Sequence, residues 1–327
     1  MNIHASLADD DKTAPPRFLM CPPRHFAVTY SINPWMNPSA WADGGTALHT
    51  SAQRQWRGLR GALATAGAAI ETLSPVPGLP DLVFTANGAV VLDGRAVLAR
   101  FRYRERQDEQ PLFATTLQTF QARGLIEEVV ELPSRVRLEG AGDCIWDGRR
   151  QLFWLGCGFR SDAAAALVLE QNFGVRCVAL SLADPRFYHL DTAFCALPCG
   201  SVIYYPAAFT AAARAAMHER IEPQDRIVLD RTDAVRFAAN AVCVGRTIVL
   251  SSASEGLKVR LAERGYAVIE TALDVFQRSG GSACCLTLRL NHRSARLARE
   301  AKPIAAHGGE STPVRRSRAL SSSRRSA

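Results

Sequence analysis

Residues 88–101 read GAVVLDGRAVLARF, two apolar runs on either side of Asp93 and Gly94. Asp-Gly between such runs is a strong signal for a tight β-hairpin turn. The same pattern of strand, glycine-containing turn and strand occurs in residues 144–156, 193–206 and 241–252. Successive turn glycines (Gly94, Gly148, Gly200 and Gly245) lie 54, 52 and 45 residues apart. The chain therefore contains a repeat built on a hairpin.

Each predicted hairpin is followed by a helix-like run, at residues 109–123, 162–173, 210–220 and 254–264. One hairpin and one helix cannot bury their own sheet, which favours radial repetition. Parts of one further unit lie at residues 17–30, 53–69 and 284–290, and joining them closes a ring of five. We therefore predict an α/β fold for residues 17–290, a five-bladed αβ propeller with pseudo-fivefold symmetry. The alternative is an open mixed α/β sheet.

Composition narrows the class of protein. With 327 residues, 47% of them hydrophobic, the chain can bury a large core. No apolar run approaches the ~20 residues of a membrane span, and the polar, acidic start lacks a signal core. The nine cysteines include no Cys-x-x-Cys pair, so zinc ribbons and redox motifs are poorly supported. These features predict a cytoplasmic protein.

The net charge of +8 is concentrated at one end. From residue 291 onward nine Lys or Arg face two Glu, which accounts for +7 and leaves the body near neutral. A Ser-, Arg- and Ala-rich composition is typical of a disordered extension; a weak contact with a polyanion such as nucleic acid is the alternative. We predict a disordered segment at 1–16, a catalytic domain at 17–290 and a disordered basic tail at 291–327.

Polar side chains occur at the same point of each repeat, just before a hydrophobic strand. In a radial array, equivalent positions of successive blades meet at the axis, so we expect these side chains to converge beside Cys285. Taken singly, each has an ordinary explanation, such as an asparagine in a turn or a histidine in a core. The residues are Asn87, Glu139, Asp143, His189, Asp191 and Asn240.

Residues 279–290 read SGGSACCLTLRL. The alternation of three leucines with Cys285, Thr287 and Arg289 predicts a strand whose leucines face a hydrophobic layer and whose Cys285 faces away, with Cys284 on the leucine side. A thiol at a glycine-rich strand entry suits a nucleophile. The alternative is that both cysteines are small buried apolar residues.

The other polar residues indicate guanidine chemistry. His189 and Asp191 project from one face if they lie on a strand, and an imidazole near Cys285 stabilises a thiolate and moves a proton. Carboxylates of Glu139 and Asp191 with the amide of Asn87 form an acceptor-rich rim, which suits a guanidinium.

Two arginines lie after the second strands of predicted hairpins. Arg106 and Arg160 are candidates for holding a substrate carboxylate through paired hydrogen bonds. The alternative is that they are ordinary surface charges.

Five motifs in this order carry a family resemblance: residues 80–84 (PDLVF), Arg106-x-x-Glu109, residues 139–143 (EGAGD), His189-x-Asp191, and Gly280-Gly281 before Cys285-x-Thr287. Over nearly all of residues 17–290 the chain resembles the arginine deiminase superfamily, the guanidine-modifying enzymes also called penteins. The resemblance implies a fivefold αβ propeller with the site on its axis.

The resemblance also implies roles. Cys285 would attack the guanidinium carbon to give an amidino-thioether, and His189 would protonate the departing amine and then activate water. Glu139 and Asp191 would hold the guanidinium nitrogens. Asp81 and Phe84 would line the site, and Arg106 and Arg160 would hold the α-carboxylate of the small-molecule substrate. No metal or organic cofactor is implied.

One segment departs from the deiminase pattern. Where deiminases and methylarginine hydrolases usually carry an aspartate, this chain has Asn87 after Ala86. The FTAN segment and residues 18–36 resemble arginine and succinylarginine dihydrolases, which places Asn33 at the substrate.

We therefore expect a hydrolase of guanidino C–N bonds in arginine or a close derivative, releasing ammonia, CO2 and an ornithine-type product. The alternatives are a dimethylarginine dimethylaminohydrolase, an arginine deiminase, an amidinotransferase, or a non-catalytic ligand-binding propeller with a polyanion-binding tail.

Overall fold

The computed structural model describes residues 14–295, and within this range the strands form five three-stranded sheets. The strands are β1 (Arg17–Met20), β2 (Ala69–Thr72), β3 (Ala89–Leu92), β4 (Arg95–Leu98), β5 (Glu128–Val130), β6 (Cys144–Asp147), β7 (Leu152–Cys157), β8 (Arg176–Ser181), β9 (Phe194–Ala196), β10 (Val202–Tyr204), β11 (Arg226–Val228), β12 (Val242–Val244), β13 (Thr247–Leu250), β14 (Ala267–Glu270) and β15 (Leu288–Arg289). The helices are α1 (Pro38–Thr65), α2 (Arg104–Gln107), α3 (Gln110–Ala122), α4 (Gly140–Asp143), α5 (Ala165–Phe173), α6 (Ala211–His218), α7 (Arg231–Val235), α8 (Glu255–Ala262) and α9 (Asp274–Gln277).

All five sheets share one topology. In four of them an antiparallel hairpin is followed by a helix and a third strand parallel to the second, as in β3-β4-β5 and β6-β7-β8. In the remaining sheet β15 pairs antiparallel with β1, and β1 pairs parallel with β2. The two ends of the described chain therefore share a sheet, as predicted. The parallel third strands were not predicted.

The helices after the hairpins are close to their predicted positions. The predicted helices at 210–220 and 254–264 are α6 and α8, each a little shorter at its C-terminal end. Their first turns are capped by Thr210, which accepts from the Ala213 amide, and by Ser254, which accepts from the Leu257 amide. A side-chain oxygen at this position satisfies an amide that the helix leaves unpaired.

Two hairpin turns with the same dipeptide differ in geometry. Asp93 and Gly94 both have positive φ (53° and 79°), as a two-residue type I′ turn requires. At the second hairpin four residues separate the end of β6 at Asp147 from the start of β7 at Leu152. The Asp147 carboxylate accepts from the backbone and guanidinium of Arg150 within this longer turn.

Five clusters of buried apolar side chains form the core, and each draws on two sheets. Burying each large apolar side chain contributes about 1.5–3 kcal/mol, so these clusters hold neighbouring sheets together. Representative pairs are Met20 with Val249, Leu288 with Val91, Val97 with Phe153, Trp154 with Tyr204, and Ile203 with Ile248.

Two predicted strands are too long. The strand expected at residues 17–30 ends at Met20, shortly before Pro22 and Pro23, which lack the amide that a sheet needs. The strand expected at 284–290 is only Leu288–Arg289. Residues 283–286 form a turn instead, in which the Leu286 amide donates to the Ser282 carbonyl. The leucine alternation therefore does not set the direction of Cys285, and that prediction is wrong.

The chain remains attached to the fold just beyond residue 290. The Asp93 amide donates to the His292 carbonyl (2.9 Å), and the Ser294 amide donates to Asp93 Oδ1 (2.7 Å). Residues 1–13 and 296–327, most of the predicted terminal segments, lie outside the described residues. No helix in the described range is long and apolar enough to cross a membrane.

Candidate active site

Cys285 is held by one amide side chain. Asn240 Nδ2 donates to Cys285 Sγ at 3.0 Å, and Asn240 Oδ1 accepts from the Cys285 amide at 3.2 Å. The thiol donates to Asp191 Oδ2 at 3.1 Å. Cys285 is 2% exposed and packs against an apolar cluster, contrary to the expectation that it points away from the core.

The thiol of Cys285 is held in its protonated form. Burial, and then the Asp191 carboxylate, raise the pKa of Cys285 well above its usual range, and the hydrogen bond from Asn240 offsets only part of this. Burial also raises the pKa of Asp191 to about 7. Asp191 Oδ1 is buried and has no hydrogen-bond partner among residues 14–295. A buried acceptor without a partner is a binding point for a ligand N–H group.

The buried carboxylate of Glu139 lies within hydrogen-bond distance of three nitrogen donors. Its Oε2 atom lies 2.9 Å from Arg160 Nη1 and 2.7 Å from His189 Nε2, and its Oε1 atom accepts from the Arg102 amide at 3.1 Å. Burial alone would raise the pKa of Glu139, but Arg160 and His189 outweigh it and hold the pKa well below the ordinary range. Glu139 is therefore ionised.

His189 is neutral at neutral pH. Burial lowers its pKa to about 4, even though Glu139 favours the charged form. Since ionised Glu139 only accepts, we assign the proton to His189 Nε2, which leaves Nδ1 as an acceptor. His189 precedes a 3₁₀ turn (Leu190–Thr192) and Asp191 lies within it, so the two residues are not on a strand. The prediction of one shared strand face is wrong, since His189 bonds Glu139 and Asp191 bonds Cys285.

Asn87 is oriented by Arg106. Arg106 Nη1 donates to Asn87 Oδ1 at 2.8 Å, and Asn87 Nδ2 donates to the Glu139 carbonyl at 3.3 Å. Arg106 itself is 3% exposed and forms a paired contact with both oxygens of Glu109, at 2.9 and 2.8 Å. A Cβ atom on Gly142 would lie 2.2 Å from Asn87 Nδ2, so only glycine fits there. Arg106 lies on α2, not on a loop, and is not a surface charge.

Arg160 lies on the loop after β7, as predicted, and is 2% exposed. Its guanidinium is stacked between the rings of Tyr103 and Tyr188, 4.6 and 4.5 Å from their centroids. Its Nη2 atom donates to the Ile32 carbonyl at 2.9 Å. Arg160 is therefore a buried cation fixed on several sides, and the surface-charge alternative is wrong for it too.

The remaining predicted residues surround the glycine segment before Cys285. Asp81 Oδ1 accepts from Ser279 Oγ at 3.1 Å, and Asn33 Nδ2 donates to the Ser279 carbonyl at 3.0 Å. Phe84 packs so closely on Gly281 that a Cβ atom there would lie 2.4 Å from its ring. Asn33, Asp81 and Phe84 thus contact the segment that leads to Cys285, and their part in lining a site stays a prediction.

The predicted polar residues do converge. Asn87, Glu139 and His189 form one bonded group, and Asp191, Asn240 and Cys285 form another. Asp143 links the two, because its Oδ1 atom accepts from the Leu190 amide between His189 and Asp191. Their chemical roles remain predictions.

Sequence reasoning missed several supporting residues. Ser161 donates to Asp143 Oδ2 at 2.6 Å and accepts from the Glu139 amide at 2.9 Å, and nothing in its sequence context marks it. Tyr103 and Tyr188 were missed as the rings that enclose Arg160. Among residues 14–295, no group of three or more His, Cys, Asp or Glu side chains is arranged to hold a metal ion.

Residues 24–292 match the sequence profile of a family described as N,N dimethylarginine dimethylhydrolase, eukaryotic. The chain belongs to this family. The predicted resemblance to the arginine deiminase superfamily is thereby confirmed.

Individual members and relatives of the dimethylarginine dimethylhydrolase family extend the comparison. The chain is 42% identical over 278 residues to the bifunctional arginine dihydrolase/ornithine cyclodeaminase ArgZ of Synechocystis sp., covering 84% of this chain and 37% of ArgZ. It is 37% identical over 275 residues to the N(G),N(G)-dimethylarginine dimethylaminohydrolase of Mycobacterium tuberculosis, covering 84% of this chain and 86% of that protein. The chain spans less than two fifths of the length of the cyanobacterial relatives that it matches.

Solved structures give the same mixed α/β fold. The N-terminal domain of ArgZ from cyanobacteria, crystallised as a cysteine-to-serine variant bound to substrate, superposes with a TM-score of 0.79 at 40% identity, covering 85% of this chain and 99% of that one. A dimethylarginine dimethylaminohydrolase adduct superposes with a TM-score of 0.69 at 19% identity, covering 84% of this chain and 100% of that one, which shows the shared fold.

Proposed function

We propose that this protein hydrolyses guanidino C–N bonds of arginine or a close derivative through an amidino-thioether on Cys285. The observation that carries the proposal is that the buried Cys285 thiol donates to Asp191 Oδ2, while the other oxygen of this carboxylate, Oδ1, has no partner within residues 14–295. Glu139, which bonds His189, is an ionised carboxylate. A planar guanidinium has paired N–H donors for such acceptors, and its charge offsets theirs.

Substrate binding supplies the activation of the thiol. A guanidinium next to Cys285 brings positive charge, which lowers the raised pKa of the thiol. Neutral His189 then accepts the thiol proton, and the Cys285 sulfur attacks the guanidinium carbon. His189 returns the proton to the departing ammonia and next takes one from water. The resulting hydroxide attacks the thioether carbon and releases the ureido product and the thiol.

A second round gives the dihydrolase outcome. Asn87 is fixed with Oδ1 on Arg106 and with one Nδ2 hydrogen on the Glu139 carbonyl, so its second Nδ2 hydrogen is the proposed donor to the ureido oxygen. Attack by Cys285 on the ureido carbon releases a second ammonia, and water then yields a carbamate that loses CO2 and leaves ornithine. The likeness to ArgZ, which is named an arginine dihydrolase, supports this choice.

The α-carboxylate of the substrate is assigned to Arg160 and Arg106, the buried cations of the site, with Asn33, Asp81 and Phe84 lining it. Both guanidiniums already bond carboxylates of the protein, Glu139 and Glu109, so a substrate carboxylate adds to these contacts. A dimethylarginine dimethylaminohydrolase is the second candidate, because of the family profile and the Mycobacterium tuberculosis relative. No observation singles out an amidinotransferase, a deiminase or a non-catalytic propeller.

The proposed architecture is a closed five-bladed αβ propeller. Support comes from the shared sheet of β1 and β15 and from the core clusters, each of which joins two sheets, including the first and the last. We propose that the catalytic domain spans residues 17–290, and the hydrogen bonds of Asp93 with His292 and Ser294 add the residues that follow to its contacts. The free state of all nine cysteines supports a reducing, cytoplasmic setting.

Mass spectrometry of rapidly quenched enzyme tests the covalent step. With arginine, the peptide that contains Cys285 is expected to carry the whole substrate less one ammonia, joined to the sulfur through the former guanidinium carbon, and the Cys285→Ala variant is expected to carry no adduct. Enzyme that turns over arginine with no adduct at any quench time, or with the adduct on Cys284, contradicts the proposal.

A further inference from the structure

A polar cavity of about 140 Å³ lies outside the guanidine site. It is lined by Arg100, Phe101, Gln107, Gln110, Ser134 and Arg137. Two of the six carry positive charge and none is a carboxylate. The cavity therefore has no acidic group of its own to balance its cations.

The two arginines have unmet hydrogen-bonding capacity. The Nε atoms of Arg100 and Arg137 are both buried and have no hydrogen-bond partner within residues 14–295. Arg100 Nη2 donates to the Leu132 carbonyl, and Asp162 accepts from the Arg137 backbone amide, not from its guanidinium. A buried donor left unpaired is unfavourable because it has lost its hydrogen bonds to water, and the penalty is larger when the donor is charged.

We propose that this cavity binds a small oxyanion, the phosphate of inorganic phosphate or of a phosphate monoester, between Arg100 and Arg137. A guanidinium fork matches the oxygen spacing of a phosphate, so two forks satisfy several of its oxygens at once. A single water takes about 30 Å³ of liquid volume, so the cavity has room for a tetrahedral anion. Ser134 adds a hydroxyl donor at its rim.

The bound anion links two segments that lead to Glu139. Arg100 and Leu138 exchange two backbone hydrogen bonds, at 2.8 and 3.2 Å, and the Arg102 amide donates to Glu139 Oε1 at 3.1 Å. Arg100 and Arg137 lie on the two segments that these hydrogen bonds already connect. An anion bound by both arginines therefore adds one more connection between the segments. Its binding is expected to stabilise the fold around Glu139.

Isothermal titration of the full chain with inorganic phosphate at constant ionic strength tests the proposal. The wild-type chain is expected to bind one phosphate saturably, and Arg137→Gln is expected to weaken binding at least about tenfold, because a charge-assisted hydrogen bond is lost. Arg135→Gln is the matched control. Arg135 is an exposed residue two positions before Arg137, and its side chain does not line the cavity. Its substitution removes the same charge, and the variant is expected to bind phosphate like the wild type.

Two lysine variants and a second phosphate compound complete the test. Arg100→Lys and Arg137→Lys retain the charge but lose Nε, and each is expected to weaken binding even if Arg137→Gln folds poorly. Titration with glycerol phosphate separates the two sources: binding assigns the monoester class, and exclusion assigns inorganic phosphate. Absence of saturable binding, or equal loss in Arg135→Gln, overturns the proposal. Neither result depends on turnover, so the proposed reaction is judged separately.

Discussion

The Nδ2 atom of Asn240 lies 3.0 Å from the Sγ atom of Cys285, and the Oδ1 atom of the same amide accepts from the Cys285 backbone amide. One side chain from the segment before β12 thus fixes both the backbone and the sulfur of the proposed nucleophile. It also donates to the sulfur, which favours a thiolate over a thiol.

Substitutions on the two sides of the sulfur are expected to move the pKa of Cys285 in opposite directions. Asn240→Ala removes a donor to the thiolate and raises the pKa further. Asp191→Asn removes the carboxylate that faces the sulfur and lowers it. The measurement is the pH dependence of iodoacetamide labelling at Cys285, read peptide by peptide because the protein has other free cysteines.

Labelling of Cys21 is the internal control, since this thiol belongs to a different core cluster from Cys285. Shifts of the same sign in the two variants, or equal shifts at Cys21, would contradict the assigned contacts.

The two adjacent cysteines are expected to differ sharply in importance. Cys285→Ser should lower kcat on the order of 10³-fold or more, as loss of a nucleophile does. Cys284→Ser should be mild, because the contacts that position a sulfur, from Asn240 and to Asp191, are made by Cys285. Initial rates with arginine measure the loss of kcat in each variant, and circular dichroism checks that each variant is folded. Comparable losses from both would remove the basis for choosing Cys285.

Glu109→Gln is expected to destabilise the fold and the site together. It leaves the Arg106 guanidinium buried without its anionic partner, which costs on the order of 3–5 kcal/mol. Denaturant unfolding measures the loss. Glu105→Gln, an exposed glutamate on α2, is the control and should change the free energy of unfolding very little. If the two variants unfold alike, the ion pair is not a structural anchor.

The stability of the protein should depend on His189 between pH 4 and 6.5. In this window His189 binds a proton in the unfolded chain but not in the fold, where its pKa is about 4. The free energy of unfolding therefore falls on acidification, with a contribution of at most about 1.4 kcal/mol per pH unit.

Asp191, whose pKa is raised to about 7, contributes with the opposite sign, since the fold holds its proton at pH values where the unfolded chain does not. The difference between the wild type and His189→Gln isolates the histidine. It should shrink as the pH falls from 6.5 to 4 and stay constant above 6.5. A difference independent of pH would mean that His189 titrates normally.

Local features of the fold were readable from sequence because they are set by nearby residues. The Asp93-Gly94 turn needs only its own backbone, and the Thr210 and Ser254 caps act within one helical turn. Cys285 was placed on a strand because the leucine pattern extends past the real strand, which begins at Leu288.

The parts of the site that depend on distant contacts were not readable. Nothing near Asn240 in sequence shows that its amide reaches Cys285, and nothing near Arg160 shows that two tyrosine rings enclose it. The repeat predicted that the polar residues lie close together, because they occupy equivalent positions in successive repeats. The repeat did not predict the individual hydrogen-bond partners, because side-chain packing determines them.

Product stoichiometry with arginine as substrate tests the central claim most directly. Ammonia, citrulline and ornithine are measured to completion, with Cys285→Ala as the blank. The proposed two rounds of hydrolysis predict two ammonia and one ornithine for each arginine consumed, with citrulline absent at the end. One ammonia with one citrulline, or no reaction with arginine at all, would contradict it.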